Sequence, residues 1–544
     1  MAKRDLPWSK HVPEGELDVV VIGSGMGGMT AAALLAKTGK RVLVLEQHYV
    51  PGGFTHTFQR RARVEGDPRA RYVWDVGVHA VGEVTHHSLT GRLLDRLTDG
   101  RLKWASLGAT YDEFTFPDGF RIAFPDSPAQ FRENLIDAFP GEQKAIDEYL
   151  HLVKAVSGTM RGYYLARLAP KPAAPIADRL LARQAQRYLT MRTKDVIEDL
   201  TDDPRLRAVF AAQWGYYGST PSRSSFAMQA LVVKHFLHGG YYPVGGSQRI
   251  AEELLGTVRR AGGWTAIRAD VDEILLEEAG RSTRAVGVRL KDGRVVRAKK
   301  VLSAAGVRST VTRLLPPEAA ADPWARSIGD LEPSPAHVCL YLGFRGDVRA
   351  AGATAANQWF YDTWDMEKDA WAVDAEGPHG DADVLYCSFP SLKDPEHDPG
   401  PAELHTGEVV TFVPWETFAP YKDARWHKRG AEYEALKEKV KARLLDQFFR
   451  KMPALKPLLD HAELSTPAST HHFVRPVHGA IYGLEPTPTR FENPWLRPVS
   501  PIRGLTFGGS EVATVGVIGA MMGGVLGAAA TDPLRVVDYV RRLS

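Results

Sequence analysis

The sequence predicts an α/β fold in which a buried parallel sheet with packed helices is interrupted by inserted segments. Residues 19–22 (VVVI) form a β-branched run without alternation, as expected of a strand buried on both faces. A glycine-rich turn and a run of helix formers follow, and residues 41–45 read as a second buried strand. This strand, helix, strand order is that of a βαβ unit, whose two strands lie parallel.

The turn between the first strand and the helix carries the spacing G-x-G-x-x-G at Gly23, Gly25 and Gly28. The first glycine allows the tight turn, the second lets a phosphate approach the backbone, and the third lets helix and strand pack closely. Glu46, at the end of the second strand, can accept hydrogen bonds from a ribose. A glycine motif alone is compatible with a structural turn, but the complete set predicts dinucleotide binding.

Composition and charge narrow the class of protein. A chain of 544 residues that is 44% apolar and 24% charged is typical of a globular protein with two or three domains. The net charge of +3 is too small to indicate nucleic acid as a partner. Cys339 and Cys387 are too few for a disulfide framework or a Cys-rich metal site, and they indicate a reducing compartment. No metal site is predicted.

Residues 513–530 (ATVGVIGAMMGGVLGAAA) carry no charge and are long enough to nominate a transmembrane helix. The run is rich in glycine, however, and the N-terminus lacks the apolar stretch of a signal peptide. A buried helix packed against a cofactor is the competing interpretation, and we favour it.

Five further blocks carry a family resemblance. They are EQHYVPGGFTHTF after the second strand, WDVGVHAVG at 74–82, GGYYPVGGSQRIAEEL at 239–254, GAIYGLEPTP at 479–488 and GLTFGGSEVATVGVIGAMMGG at 504–524. In this order the set resembles the FAD-dependent family of retinol saturase, plant carotenoid isomerase and bacterial phytoene desaturases, with retinol saturase nearest. The glycine turn and the pair Gly52 and Gly53 (the GG pair) are common to many flavoproteins, whereas YYPVGGSQ and GAIYGL are more specific to this family.

The resemblance implies a Rossmann-like FAD-binding domain of the glutathione-reductase/amine-oxidase type, discontinuous in sequence. It also implies an inserted α+β substrate domain with a mostly antiparallel sheet. Strand-like runs at 335–345, 383–390 and 407–414 predict that second sheet, and 126–210 and 428–452 are helical in pattern. We assign 15–90, 240–320 and 495–544 to the FAD-binding domain, and 91–239 and 321–494 to the substrate domain.

The resemblance also assigns cofactor contacts. The backbone of the GG pair lies against the isoalloxazine, Glu511 contacts the ribityl chain, and the strand at Val271 grips the adenine. The full set of expected contacts is Gly23, Gly25, Met26, Gly27, Gly28, Glu46, Gln47, Gly52, Gly53, Phe54, Thr55, Val271, Ala304, Gly509, Glu511, Gly516, Val517, Ile518 and Ala520.

The implied activity is that of a flavin-dependent oxidoreductase acting on C=C bonds of a long apolar substrate: a polyene, retinoid, carotenoid or unsaturated fatty chain. Saturation by hydride from reduced FAD is the first expectation, because retinol saturase is the nearest resemblance. Desaturation and cis–trans isomerisation remain open, as do a flavin amine oxidase and a flavin-free lipid-binding escort protein. No second G-x-G-x-x-G turn that could bind a nicotinamide cofactor is found in the sequence, so a transient electron donor or acceptor is expected.

Three side chains are candidate proton donors. His79 matches a position that the family places near the flavin, where it could donate a proton or only fix the ring by a hydrogen bond. Tyr241 and Tyr482 are potential donors lining a cavity, although buried tyrosines are also common as core residues. His471 and His472 are adjacent and, on a strand, would point to opposite faces, which makes them a poor metal pair.

Two basic segments bear on partners. Residues 175–200 predict an amphipathic helix with Arg179, Arg183 and Arg187 on one side, suited to an anionic membrane surface or to solvent. A second segment is expected to be a solvated loop, with a phosphate or acidic surface as the alternative; its arginines are Arg60, Arg61, Arg63, Arg69 and Arg71. We expect a cytoplasmic protein that associates peripherally with the inner face of the membrane.

Overall fold

A computed structural model describes residues 6–170, 172–280 and 282–542. Its centre is a five-stranded parallel sheet, in the order Leu505–Phe507, Lys300–Ser303, Val19–Ile22, Val42–Glu46 and Trp264–Ile267. One face packs against the helices Met26–Lys37, Gln248–Arg260 and Gly516–Thr531. The other face packs against an antiparallel sheet of three strands, Val271–Ala279, Ser282–Leu290 and Val295–Arg297.

The two faces of the first strand pack into two different cores, which explains why residues 19–22 do not alternate between apolar and polar side chains. Val19 and Val21 belong to the helical core, while Val20 and Ile22 belong to the core beneath the three-stranded sheet. Both faces of the strand are therefore buried, and every position selects an apolar side chain. The predicted α/β class with its parallel sheet is confirmed.

The second large sheet has seven strands. Their order is Leu459–Ser465, Ala336–Arg345, Leu404–Val413, Val384–Ser388, Asn357–Tyr361, Thr110–Thr115 and Arg121–Pro125. All neighbours are antiparallel except Asn357–Tyr361 with Thr110–Thr115, as the mostly antiparallel prediction requires. Ala431–Lys451 packs against one face, and a helical layer that includes Gln143–Arg167 and Phe226–Phe236 packs against the other.

The strands of the five-stranded sheet fall within the segments assigned to the FAD-binding domain, and those of the seven-stranded sheet fall within the inserted segments. The domain limits themselves stay a prediction, and residues 543–544 of the last segment lie outside the described residues. The remaining short paired strands are Thr57–Arg61 with Arg71–Asp75, Trp104–Ser106 with Tyr241–Pro243, and Val373–Asp374 with Gly377–Pro378. The remaining longer helices are Leu89–Thr98, Pro128–Ala138, Arg183–Thr190, Thr193–Leu200, Pro204–Ala211, Pro323–Gly329, Pro467–Val474 and Pro533–Arg541.

Three local expectations are wrong. Residues 175–200 do not form one helix, because Ala174–Ala177 leads into a π-helical turn at Asp178–Ala182 and the chain extends again at Met191 and Arg192. The arginine-rich segment is a hairpin whose strands carry Arg60, Arg61 and Arg71, so only Arg63 and Arg69 lie in an exposed loop as expected. Arg60 pairs through two nitrogens with Glu463 at 2.7 Å.

The third error concerns His471 and His472, which lie in the helix Pro467–Val474 and not on a strand. Among the described residues, no three His, Cys, Asp or Glu side chains converge as a metal site. The uncharged run forms the buried helix Gly516–Thr531. Within the described ranges, no helix is both long enough and apolar enough to cross a bilayer.

Candidate functional site

One cavity joins the two large sheets. At one end it is lined by Glu46 and Val271, beside the parallel sheet. At the other end it is lined by Trp359, Tyr386 and Phe412, on strands of the seven-stranded sheet. The glycine turn lies at the Glu46 end, where Ser24 donates to the Glu46 carboxylate, so a long molecule bound at the turn can extend toward the inserted sheet.

Gly25 shows that the turn is shaped for a ligand. Its φ of −65° and ψ of 173° are open to any residue. No heavy atom of the described residues lies within 4 Å of the position that its Cβ would take. Neither backbone strain nor protein packing requires glycine here, whereas a phosphate lying against the backbone does.

Gly28 serves a different purpose. Its Cβ would lie 2.1 Å from the carbonyl oxygen of Gly23, so a side chain would push the helix off the strand. The motif therefore divides its work as predicted: one glycine leaves room for ligand and another allows helix and strand to touch.

Glu46 joins the end of the second strand to the glycine turn. Its Oε2 accepts hydrogen bonds from the Ser24 amide at 3.0 Å and the Ser24 hydroxyl at 2.5 Å, and its Oε1 accepts one from the His48 amide at 2.7 Å. The residue is 7% exposed and lines the cavity. Because a carboxylate offers about four acceptor positions, one remains for a ribose hydroxyl.

The helix Gly516–Thr531 points its N-terminus into the same cavity, where Gly516, Val517 and Ala520 form part of the lining. No side chain among the described residues caps its first turn. The free amides and the positive end of the helix dipole suit an electron-rich ring edge or a phosphate.

All of the predicted cofactor contacts line the cavity except Gly28, Gly52 and Ile518. Gly52, at a φ of 126°, makes the turn behind Gly53 and donates its amide to the Ser24 hydroxyl at 3.1 Å. Ile518 is buried in the helical core. The structure therefore brings the predicted set together, with these three supporting the wall and not forming it.

The three candidate proton donors separate. His79 and Tyr482 line the cavity, but Tyr241 does not; its hydroxyl donates to the carbonyl of His238 at 3.2 Å, near the surface. Tyr482 donates to the carbonyl of Gly215 at 2.9 Å, and burial raises the pKa of its phenol well above the usual value. The proton of Tyr482 is thus committed to the backbone, which leaves His79.

A buried polar cluster lies behind His79. Nδ1 of its imidazole is 2.8 Å from Oε2 of Glu408, whose Oε1 accepts from the Asp75 amide at 3.0 Å. Nζ of Lys393 donates to the His79 carbonyl at 2.8 Å, to the Ser388 hydroxyl at 2.7 Å and to Oδ1 of Asn357. Sequence reasoning missed this cluster; the one signal available was Glu408, a single charge within the mostly apolar strand Leu404–Val413.

Burial dominates the acid–base behaviour of the cluster. It raises the pKa of Glu408 to about 8, and together with Glu408 raises that of Asp75 to about 6. It lowers the pKa of Lys393 to about 7 and, with the nearby Lys393 charge, lowers that of His79 to about 3. At neutral pH the imidazole is therefore neutral.

The far end of the cavity is apolar and aromatic. Its lining includes Tyr216, Trp359, Val384, Tyr386, Val410 and Phe412. The acids that line the cavity among the described residues are Glu46, Asp270 and Glu511, none of which lies on the seven-stranded sheet. This end offers a long hydrocarbon a matching surface and offers a small ammonium ion no carboxylate partner.

Comparisons with known proteins agree with this geometry. A family model described as flavin containing amine oxidoreductase matches residues 26–531. The chain is 33% identical to an all-trans-retinol 13,14-reductase of Danio rerio, across 95% of this chain and 86% of that protein. It is 26% identical to a chloroplastic prolycopene isomerase of an Oncidium hybrid cultivar, across 87% of this chain and 76% of that protein.

The fold is shared with solved flavoenzymes. Cyclohexylamine oxidase from Brevibacterium oxydans superposes with a TM-score of 0.57 at 16% identity, covering 96% of this chain and 100% of that chain. The residues that the family model matches begin within the glycine turn, at Met26, and include the inserted sheet and the helix Gly516–Thr531. The chain therefore belongs to the flavin containing amine oxidoreductase family and is an oxidoreductase whose cofactor is FAD.

Proposed function

We propose that this enzyme saturates a C=C bond of a long apolar polyene, with a retinoid as the first substrate to test. The observation that carries the proposal is the apolar, aromatic wall, free of carboxylates among its described residues, at the end of the cavity away from Glu46. The names of the relatives, a retinol reductase and a prolycopene isomerase, support a conjugated substrate.

Reduced FAD supplies a hydride when bound. The glycine turn, Glu46 and the start of the helix Gly516–Thr531 would hold the cofactor. The aromatic wall holds the polyene and excludes water, burying apolar surface at roughly 25 cal/mol per Å². His79, which lines the cavity, would give the proton that forms the second of the two new C–H bonds. Electrons would come from a transient donor.

Product mass tests the proposal. The reduced enzyme, which can saturate, and the oxidised enzyme, which can desaturate, are each mixed separately with all-trans-retinol, a carotene, an unsaturated fatty acid and a small amine such as putrescine. A product about two mass units heavier supports saturation, about two units lighter indicates desaturation, and equal mass with changed retention indicates isomerisation. If no polyene changes while the amine reduces the oxidised enzyme, the proposal is wrong. The His79→Gln variant should lose the reaction while keeping FAD.

We also propose that the enzyme docks on anionic membranes from the cytoplasmic side. Leu165, Ile176, Leu180 and Leu181 are 49%, 63%, 74% and 49% exposed, which is unusual for large apolar side chains. Their segments touch at Gly162, whose Cβ would meet the Leu181 carbonyl at 2.2 Å, so the four form one patch. Beside it lie the exposed arginines Arg179, Arg183 and Arg187. Apolar residues flanked by arginines match a bilayer with anionic headgroups.

Vesicle binding tests the docking. Each arginine contributes about 1 kcal/mol near an anionic surface, so replacing all three by Gln should weaken binding to phosphatidylserine vesicles roughly a hundredfold at low salt. Ile176→Ser with Leu180→Ser should weaken binding in high salt as well. The matched control replaces the hairpin arginines Arg61, Arg63 and Arg71 by Gln, which are also exposed. Equal losses from both arginine triples would rule out a specific surface.

A further inference from the structure

We infer that Glu408 holds the proton that His79 delivers to the substrate, so that the two side chains form a relay from the buried cluster into the cavity. The inference rests on the proposed function and adds a second residue to its proton transfer. Glu408 lies on the strand Leu404–Val413 and is fully buried, whereas the His79 side chain is 14% exposed and lines the cavity.

The contact between the two residues is exclusive. Nδ1 of His79 and Oε2 of Glu408 are 2.8 Å apart, and both atoms are buried without a well-aligned hydrogen bond to any described residue, so each is the other's available partner. Because Nδ1 is buried, the exposed part of the ring does not include it. Lys393 fixes the His79 backbone by donating to its carbonyl, which holds the ring in place.

Hydrogen-bond donors decide where the proton resides. Three buried carboxyl groups surround one lysine: Asp75, Asp112 and Glu408. Asp75 accepts from the Ser247 amide, the Ser247 hydroxyl and the Tyr242 hydroxyl. Asp112 also has three donors, from Gln213, Tyr216 and Asn357.

Glu408 accepts a hydrogen bond from only the Asp75 amide among the described residues. A buried carboxylate with few donors is costly, so the proton belongs on Glu408, and Asp75 and Asp112 keep their charges. The pKa of Glu408, which burial raises, likewise favours the protonated form of this carboxyl group. A proton on Oε2 lies within 2.8 Å of Nδ1, and Nδ1 can take it only as the tautomer of the imidazole that carries hydrogen on Nε2.

The transfer balances as follows. The hydride forms one new C–H bond, and the π electron pair of the substrate forms the other with the proton that leaves Nε2 of His79. As that N–H bond breaks, Nδ1 takes the proton from Oε2 of Glu408. The step ends with a Glu408 carboxylate near the Lys393 ammonium and a neutral His79 protonated on Nδ1. Water restores the proton between turnovers.

Other titratable groups face the pair from the packed elements. The Lys393 charge and a hydrogen bond from the Asp75 amide both lower the pKa of Glu408 against the effect of burial, and His337 faces His79. Cys339, Tyr341, Tyr242 and Tyr386 stay neutral at neutral pH, because burial raises the pKa of each well above its usual value. Burial lowers the pKa of Lys393 to about 7, and the carboxyl group expected to lose its proton near pH 8 is Glu408, so only a pH limb that Glu408→Gln removes belongs to Glu408.

Single-turnover rates of the reduced holoenzyme with all-trans-retinol test the relay. In Glu408→Gln the imidazole would have to give up Nε2–H without taking a proton, so we expect the rate to fall at least about a hundredfold. The wild-type rate should fall as the pH rises through about 8, and the variant should lack this limb. The matched control is Glu463→Gln, a carboxylate paired with Arg60 away from the cavity, which should keep rate and profile.

Infrared spectroscopy provides a second readout. The wild type should show a protonated-carboxyl C=O band that shifts in D₂O and disappears above about pH 8. Glu408→Gln should lack the band, and His79→Gln should keep it. A Glu408→Gln variant with wild-type rate and pH limb would overturn the relay. If the wild type reduces no polyene, the proposed function fails, and a missing carboxyl band would independently overturn the assignment of the proton to Glu408.

Discussion

The two ends of the cavity are built from opposite materials. The cofactor end exposes glycines and backbone: Gly25, Gly53 and Gly516 line it. The Glu46 carboxylate there accepts hydrogen bonds from the Ser24 and His48 amides and so stabilises the turn. The substrate end consists of large aromatic side chains backed by buried charges such as Glu408 and Lys393. One end binds by letting a ligand reach the backbone, and the other acts through side chains.

This difference has a consequence for tolerance to mutation. At the cofactor end an added methyl group is the damaging change, because it occupies the ligand's space or separates the packed elements. At the substrate end the removal of a single proton or charge is the damaging change, because its buried neighbours are left unbalanced. Three predictions test this contrast, from the largest expected effect to the smallest.

Gly25→Val should abolish FAD binding while leaving a folded protein. The backbone of Gly25 suits valine, and no described atom occupies the Cβ position, so the side chain conflicts only with the pyrophosphate. The measurement is the flavin absorbance of the purified protein, together with circular dichroism.

Two other glycines frame this result. Gly28→Val should fail to fold, since its Cβ would meet the Gly23 carbonyl at 2.1 Å. Gly158→Ala, in the helix Gln143–Arg167 with open space at its Cβ, should bind FAD normally and gain up to about 1 kcal/mol. Full flavin content in Gly25→Val would contradict the assignment of the glycine turn as the pyrophosphate site. A colourless wild type that takes up no added FAD would contradict FAD binding altogether.

The contrast also explains what the sequence could reveal. Gly23, Gly25, Gly28 and Glu46 lie within one βαβ unit, so their spacing along the chain already reflects their spacing in space. The buried run at 513–530 was predictable for a similar reason, because its glycines mark close packing. Local geometry leaves a local pattern.

The acid–base cluster leaves no such pattern. Asp75 lies 333 positions before Glu408, and it meets Glu408 and Lys393 only because the hairpin Thr57–Asp75 packs against the seven-stranded sheet. Sequence could not tell which tyrosine of the pair Tyr241 and Tyr242 turns inward. Adjacent residues of a strand face opposite ways, and Tyr242 is the one whose hydroxyl reaches Asp75. The break of 175–200 into shorter helices likewise depends on packing that helical periodicity does not encode.

Glu408→Gln should change how stability depends on pH. The folded-state pKa of about 8 lies above the ordinary value of 4.5, so between these values the folded protein binds more protons than the unfolded chain. Wild-type stability from this group is therefore full below about pH 4.5 and is lost as the pH rises through 8. The variant should lack this loss, with a difference on the order of a few kcal/mol across the window.

Urea unfolding of the holo forms between pH 5 and 8.5 measures that difference. Glu463 offers a control of opposite sign: burial raises its pKa, but hydrogen bonds from His461 and Arg60 outweigh burial and lower it to about 2. Its contribution is present above about pH 4.5 and lost toward pH 2, so Glu463→Gln should leave the slope between pH 5 and 8.5 unchanged. Parallel curves for wild type and Glu408→Gln would place the proton elsewhere.

Glu46 tests whether a carboxylate at the cofactor end acts on the ligand or on the fold, and it should give the smallest effect. Glu46→Gln keeps a carbonyl oxygen for the two Ser24 donors but loses the charge and the acceptor for the His48 amide, so FAD should bind roughly tenfold more weakly, about 1–2 kcal/mol, with a smaller loss of Tm than in Glu46→Ala. Glu46→Ala leaves those donors unpaired and should lower Tm as well. Titration of the apoprotein with FAD and thermal unfolding separate the two effects. If Glu46→Gln binds FAD as tightly as the wild type, the carboxylate serves only the turn, and the ribose is held by other groups.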